Sequence, residues 1–215
     1  MKPWQTLAAI ETKEGTLELR KRDAGDFMLV IGGRVLMTSR ERRSEERLAT
    51  LACSATTKRV LIGGLGMGYT LRAALDAAPS AQIDVAELSP EVAEWCRGPM
   101  AELTQNAAGD PRTKIIIDDV ARVIANAPAN HYDAVLLDLY EGPHAASQRA
   151  NDPFYSASAL MKQARALAPG GTLAVWSEDP DDGYLRRFRS AGFTVTVDRS
   201  GSSRVHVVYV GIKQR

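Results

Sequence analysis

Apolar and polar positions follow two rhythms along this chain, and the change comes near residue 59. Before residue 40 the alternation is short: "TLAAIET" (6–12), "TLELRKR" (16–22), "FMLVIG" (27–32) and "RVLMTS" (34–39). A period of two reads as half-buried strand. The breaks fall at Glu14-Gly15, Asp23-Ala24-Gly25-Asp26 and Gly32-Gly33, and the last is a two-residue hairpin signal. Residues 1–40 are therefore expected to form a small β-hairpin appendage to a domain over 41–215. Between them lies "SRERRSEERLATLA" (39–52), with Arg and Glu interleaved and apolar residues only at its end. This pattern predicts a helix with a solvated face knitted by ion pairs four residues apart. A nucleic-acid arm is the alternative, and the glutamates largely cancel its arginines.

From residue 59 strand-like and helix-like stretches alternate. "RVLIG" (59–63), "QIDVAE" (82–87), "TKIIID" (113–118), "YDAVLLD" (132–138) and "TLAVWS" (172–177) have the near-continuous apolar character of strands buried on both faces. "TLRAALDAA" (70–78), "SPEVAEW" (89–95), "DVARVIANA" (119–127) and "SASALMKQARALAPGG" (156–171) read as the helices between them. Ser89 and Ser156 are placed as N-caps, Pro90 stands at a first helical position, and Gly170-Gly171 reads as a helix stop. The tail, "YLRRFRSAG", "FTVTVD" and "RVHVVYVGI", predicts a helix and a closing antiparallel hairpin. Strand alternating with helix means an α/β fold, a parallel sheet covered on both faces.

Composition narrows the classes. A chain of 215 residues, 45% hydrophobic, is long enough for a sizeable core, and 27 basic against 26 acidic residues leave no general attraction to nucleic acid or anionic membrane. No apolar run approaches the roughly 20 residues that cross a bilayer. "MKPWQTLAAIETKEG" lacks the apolar region of a signal peptide, so a cytoplasmic location without membrane partners is expected. Cys53 and Cys96 lack paired spacing and read as structural thiols, and His131 and His206 lack metal-ligand spacing, so no metal is expected.

The chemistry gathers around "GGLGMG". Gly63, Gly64, Gly66 and Gly68 fall within six positions, between the first buried strand and a helix. Such a loop lets a ligand touch the main chain at the carboxyl end of a sheet. A dinucleotide fingerprint wants a glycine where Tyr69 stands, and a phosphate-binding loop wants a Lys-Ser/Thr pair that is absent. An adenosyl sulfonium cofactor is the remaining common user. Glu87 ends the second strand, where a carboxylate can accept both ribose hydroxyls. Asp118 and Asp119 end the third, where an acid can accept an adenine amino group. Asp138 closes the fourth.

These residues resemble the class I AdoMet-dependent methyltransferase fold, and within it the spermidine synthase-like family. The resemblance runs through "RVLMTSRERRSEE", "VLIGGLGMG", "VAELSP", "DPRTKIIIDDVARVI", "YDAVLLDLYEGP" and "LAPGGTLAVWS". It implies a Rossmann-like, seven-stranded, mostly parallel sheet ending in an antiparallel hairpin, an S-adenosylmethionine or decarboxylated S-adenosylmethionine cofactor, and a homodimer. In aminopropyl-transferring members the loop reads roughly GGGDGG, its Asp helping to hold the cofactor's terminal amine; here that position is Gly66. Those members also carry Asp-x-x-Asp-Pro after the fourth strand, binding and deprotonating the acceptor amine. In "DLYEGP", Asp138 matches the first acid and Glu141 stands where the second would be.

The expected function is a transferase acting on a small amine-containing acceptor. Methyl transfer from S-adenosylmethionine is slightly favoured, because Gly66 removes the acid expected for a decarboxylated cofactor. The alternatives are aminopropyl transfer to putrescine or a related polyamine, and a non-catalytic nucleoside-binding or interaction module. An amine acceptor is protonated at neutral pH, so Asp138 would attract the cation and then take its proton, with Glu141 holding its other end. The long connection "YEGPHAASQRANDPFYS" adds His144, Tyr140 and Tyr155 as pocket candidates; Trp176 and the acids of "SEDPDDG" stand at the same rim. Modification of a nucleic-acid base amine is disfavoured, since no Asn/Asp-Pro-Pro-aromatic stretch follows the fourth strand.

Overall fold

The computed structural model describes residues 2–23, 25–140, 142–143, 152–199 and 206–214. Strands β1 (Gln5–Thr12), β2 (Gly15–Arg22), β3 (Asp26–Ile31) and β4 (Arg34–Thr38) form an antiparallel meander in sequence order. The Gly32-Gly33 turn joins β3 to β4, both glycines at positive φ (51° and 81°) that a side chain would strain. Helix α1 (Arg43–Ala52) leads into the second sheet.

That sheet contains β5 (Arg59–Gly63), β6 (Gln82–Glu87), β7 (Thr113–Ile117), β8 (Tyr132–Leu137), β9 (Leu167–Ser177), β10 (Phe193–Asp198) and β11 (Val207–Lys213), in the order β10-β11-β9-β8-β5-β6-β7. Strands β5 to β9 run parallel, and β11 is antiparallel to both β9 and β10. The α/β, mostly parallel sheet with a C-terminal antiparallel hairpin is the one anticipated. The chain steps outward from β5 to β7 and then returns to β8 on the other side of β5. The β5/β8 pair is therefore the switch point, outside whose carboxyl ends ligands bind in open α/β sheets.

Helices α2 (Tyr69–Ala77), α3 (Pro90–Arg97), α4 (Val120–Asn126), α5 (Ala157–Ala166) and α6 (Asp182–Ser190) complete the layers. Four of them begin on side-chain caps: Ser89, Asp119, Ser156 and Asp181 each accept a hydrogen bond from a first-turn backbone N–H. One apolar cluster unites α1, α2 and α3 with one sheet face and includes Leu17, Leu19, Phe27 and Leu29 of the meander. A second cluster, centred on Leu137, Val175, Tyr184 and Phe188, fills the face under α4, α5 and α6. The meander thus packs into the α1 side of the main core, and Met37 of β4 reaches the loop that follows β5. No helix among the described residues is long and apolar enough to cross a membrane.

Three expectations need correction. Helix α5 stops at Ala166, short of Gly170-Gly171, because Leu167 already pairs with Tyr132; the glycines lie inside β9, where the register shifts and Gly170 takes a φ of 77°. Two short 3-10 turns, Ala101–Thr104 and Ala107–Gly109, occupy a stretch where no element is expected. Helix α1 does not present a wholly solvated polar face: Glu45 is buried together with Leu48 and Ala49. Positions 45, 48 and 49 lie on one helical stripe, so the glutamate shares the face that docks on the core.

Candidate active site

The glycine loop begins where β5 ends, and the fold explains part of its composition. A Cβ at Gly63 would lie 2.8 Å from Val120 Cγ2, and one at Gly64 would lie 2.4 Å from the Asp138 carbonyl oxygen. Gly64 also holds a φ of 88°. Both positions are glycine because the protein itself closes on them: Asp138 N–H donates to Gly63 O at 2.9 Å, drawing the two strand ends together. Gly66 (φ 52°) and Gly68 (φ 84°) face more open space, where a Cβ would meet Met37 Sδ at 3.1 Å and Thr104 Cγ2 at 3.4 Å respectively. Gly68 caps α2 without a side chain, so first-turn N–H groups of that helix are left to a ligand or water.

Glu87 is tied to the loop from the neighbouring strand. Its Oε2 accepts from Leu65 N–H and its Oε1 from Ser89 N–H, both at 2.9 Å. Each oxygen keeps a further lone pair, which suits hydroxyl donors of a ribose. Leu88 and Ile117, at the ends of β6 and β7, are 72% and 49% exposed, unusual for large apolar side chains at the mouth of a sheet and suited to a flat purine. Asp118 pairs with Arg122 at 2.5 Å. Asp119 turns the other way: its Oδ1 accepts from Ala121 N–H and caps α4. The donor set and apolar walls therefore fit an adenosyl group, with Asp118 and Asp119 both at the end of β7. Cys96 Sγ donates to Gly66 O at 3.3 Å, and burial pushes its thiol, like that of Cys53, up to about 12.

Asp138 stands at the end of β8, beside the loop. Thr70 Oγ1, from the first turn of α2, donates to its Oδ2 at 2.6 Å. Burial raises its carboxyl to about 7, the Glu45 carboxylate adds repulsion, and the Thr70 bond opposes both. Burial also raises Glu45, whose Oε2 accepts from Ser44 Oγ at 2.7 Å. Ser44 Oγ lies 3.1 Å from His206 Nδ1, and the edge of Trp176 meets the His206 ring 5.1 Å away. A polar cluster thus runs from Asp138 through Thr70, Glu45 and Ser44 to His206 and Trp176. Asp138 as a residue is half-buried, with Glu45 and Thr70 buried beside it.

Of the remaining pocket candidates, Tyr140 is half exposed with Arg34 stacked 5.4 Å above its ring. Tyr155 is buried, and its Oη has no hydrogen-bond partner among the described residues. Asp181 is buried as the cap of α6, which removes it from the rim. Glu141 and His144 lie outside the described residues. Sequence reasoning brought Gly63, Gly64, Gly66, Gly68, Glu87, Asp118 and Asp138 to one end of the sheet but missed Glu45, Thr70 and Met37. A glutamate spaced three and four before Leu48 and Ala49 was the available sign. A cleft between α5 and α6, lined by Ala157, Met161, Arg186 and Arg187, contains none of these acids.

No family model matches the chain. Over 184 residues it is 32% identical to a polyamine aminopropyltransferase of Mycobacterium tuberculosis, an alignment that covers 81% of this chain and 34% of that protein. Over 121 residues it is 32% identical to putrescine N-methyltransferase 4 of Nicotiana tabacum, covering 56% of this chain and 30% of that one. The chain spans about a third of the length of these curated relatives. Among solved structures, a spermidine synthase from Thermotoga maritima superposes with a TM-score of 0.76 over 97% of this chain and 72% of that chain, at 21% identity. That likeness is one of fold.

Proposed function

We propose that this chain, spermidine synthase-like in sequence and in fold, transfers an aminopropyl group from decarboxylated S-adenosylmethionine to a small diamine such as putrescine. The observation that carries the reading is Asp138, a carboxyl raised to about 7 at the switch point, beside a glycine loop and a ribose-competent Glu87. Methyl transfer, the first expectation from the bare position of Gly66, gives way to its alternative. The aminopropyltransferase likeness covers 81% of the chain, against 56% for the N-methyltransferase.

When bound, the sulfonium supplies an activated carbon and a neutral thioether leaving group. Residues of the chain supply the rest. Glu87 and Asp118 fix the nucleoside, and the loop backbone receives it closely at Gly66 and Gly68. Asp138 draws the acceptor ammonium in by charge and takes one proton from it, freeing the nitrogen lone pair for in-line attack. A carboxyl poised near neutrality is suited to that exchange, and Thr70 holds it in place. Glu141 would hold the second ammonium. Residues 1–40 act as an appendage that covers the loop through Met37, and a second copy of the chain completes the assembly, as the family resemblance implies.

Product identity tests the reading. The chain is incubated with a mixture of diamines and either decarboxylated or intact S-adenosylmethionine, and products are separated by mass. The reading requires methylthioadenosine and a diamine extended by one aminopropyl group. Formation of S-adenosylhomocysteine and a methylated diamine would establish the second reading, N-methylation, which Gly66 and the likeness to a putrescine N-methyltransferase favour.

A further inference from the structure

We propose that Arg34 and Ser177 are positioning residues for the acceptor amine: from two sides they hold the backbone that leaves β8 beside Asp138. The inference rests on the diamine acceptor of the reading above and assigns part of its binding to residues that act on it through the chain.

The start of that connection is fixed by the sheet. Asp138 N–H donates to Gly63 O at 2.9 Å, and Leu139 packs on the second apolar cluster, its Cδ2 3.6 Å from where a Cβ on Gly64 would stand. Past Leu139 no strand partner remains, so the chain takes its contacts from elsewhere. Tyr140 is half exposed, with the Arg34 guanidinium 5.4 Å above its ring. Gly142 is buried at a φ of 68°, so close to β9 that a Cβ would lie 2.4 Å from Trp176 O and 2.6 Å from Ser177 Cα. Pro143 O accepts from Ser177 Oγ at 3.1 Å. In sequence, Glu141 stands between these held residues.

Both anchors have firm supports. Arg34 opens β4 directly after the Gly32-Gly33 turn, and that turn leans on the one joining β1 to β2. Gly32 N–H donates to Thr16 O at 3.0 Å, and a Cβ on Gly15 would come within 2.9 Å of Gly32 Cα. Ser177 closes β9, fully buried and in register with Val207. Its single hydroxyl proton is shared between Pro143 O and, at 2.6 Å, Asp179 O, which joins the connections after β8 and β9. Strand β4 thus divides its contacts: Met37 meets the cofactor loop at Gly66, and Arg34 meets the chain beyond Asp138.

The sign of one substitution separates a clamp from a charge. Acting only as a cation, Arg34 repels a diammonium acceptor, and its removal would tighten binding. Acting as a clamp, it keeps the connection in its binding geometry, and its removal weakens binding.

Calorimetry reads putrescine binding to the whole chain saturated with methylthioadenosine. Arg34→Ala should weaken putrescine about 3- to 10-fold while methylthioadenosine affinity stays put. Tyr140→Ala should reproduce the loss, and the double variant should lose no more than either alone. In turnover the loss should fall on KM for putrescine rather than on kcat. Ser177→Ala should weaken putrescine in the same way; Arg34 and Tyr140 are exposed, so their variants decide if that one does not fold. Unchanged or tighter putrescine binding in Arg34→Ala overturns this inference alone, as does an equal loss of methylthioadenosine affinity. A wild type that binds methylthioadenosine but not putrescine overturns the diamine reading itself.

Discussion

Replacing Asp138 by Asn preserves the side chain's shape and its hydrogen bond from Thr70 while deleting one ionisation. In the folded chain that carboxyl is raised from 3.8 to about 7, chiefly by burial and then by Glu45. The unfolded chain returns it to its ordinary value. Between those two values the folded state holds the proton more tightly, so wild-type stability falls as pH rises through the window and is lowest above it. A difference of about three pK units at roughly 1.4 kcal/mol each sets an upper bound of about 4 kcal/mol. Asp138 is only half-buried as a residue, and screening at that depth reduces this to about 2–4 kcal/mol. Asp138→Asn should therefore be about 2–4 kcal/mol more stable than wild type at pH 8 and nearly equal to it at pH 4, although it loses activity. Urea unfolding of both proteins at several pH values reads the difference directly, and other titrating groups largely cancel in the subtraction. A variant less stable than wild type at pH 8, or a difference independent of pH, would refute the buried, strained carboxylate.

Other predictions concern the loop and its neighbours. Gly64→Ala drives a Cβ to 2.4 Å from the Asp138 carbonyl oxygen at a φ of 88°, so unfolding should show a loss of at least about 2 kcal/mol. Glu87→Gln puts an amide donor against the N–H of Leu65 or Ser89, and methylthioadenosine should bind about 10- to 100-fold more weakly by calorimetry. Asp119→Ala removes the cap of α4 and should cost about 1 kcal/mol of stability with nucleoside affinity nearly unchanged, whereas Asp118→Asn should weaken affinity and spare stability. Reversal of that pair would exchange the roles of the two acids.

Much of the fold was legible because local signals agreed with one another. The Gly-Gly hairpin, the caps Ser89 and Ser156, and the succession of apolar strands each pointed to the same layered sheet. The end of α5 was not, because its boundary is set by pairing of Leu167 with Tyr132, a partner 35 positions earlier. The acids at strand ends could be placed from strand boundaries alone, which is why Glu87, Asp118 and Asp138 each stand at or just past the carboxyl end of a strand. Their different partners could not: the cap at Asp119 and the Arg122-paired carboxylate of Asp118 differ only by one residue of helix phase. Glu45 was hidden by composition. In a stretch rich in Arg and Glu, only the three- and four-residue spacing to Leu48 and Ala49 separates the buried glutamate from its solvated neighbours. The glycines carried a mixed message, since Gly63 and Gly64 answer to Val120 and Asp138 of the chain itself and only Gly66 and Gly68 face open space.

The central claim is that Asp138 accepts the proton of an amine attacking a decarboxylated cofactor. Its most direct test is the ratio of kcat/KM for methylthioadenosine release between wild type and Asp138→Asn, followed from pH 5.5 to 9 with putrescine as acceptor. Taking the ratio cancels the titration of the amine itself. The account predicts a ratio that climbs through about pH 7, where Asp138 ionises, and levels at about 100-fold or more. A ratio near one, or one that does not change with pH, would contradict it.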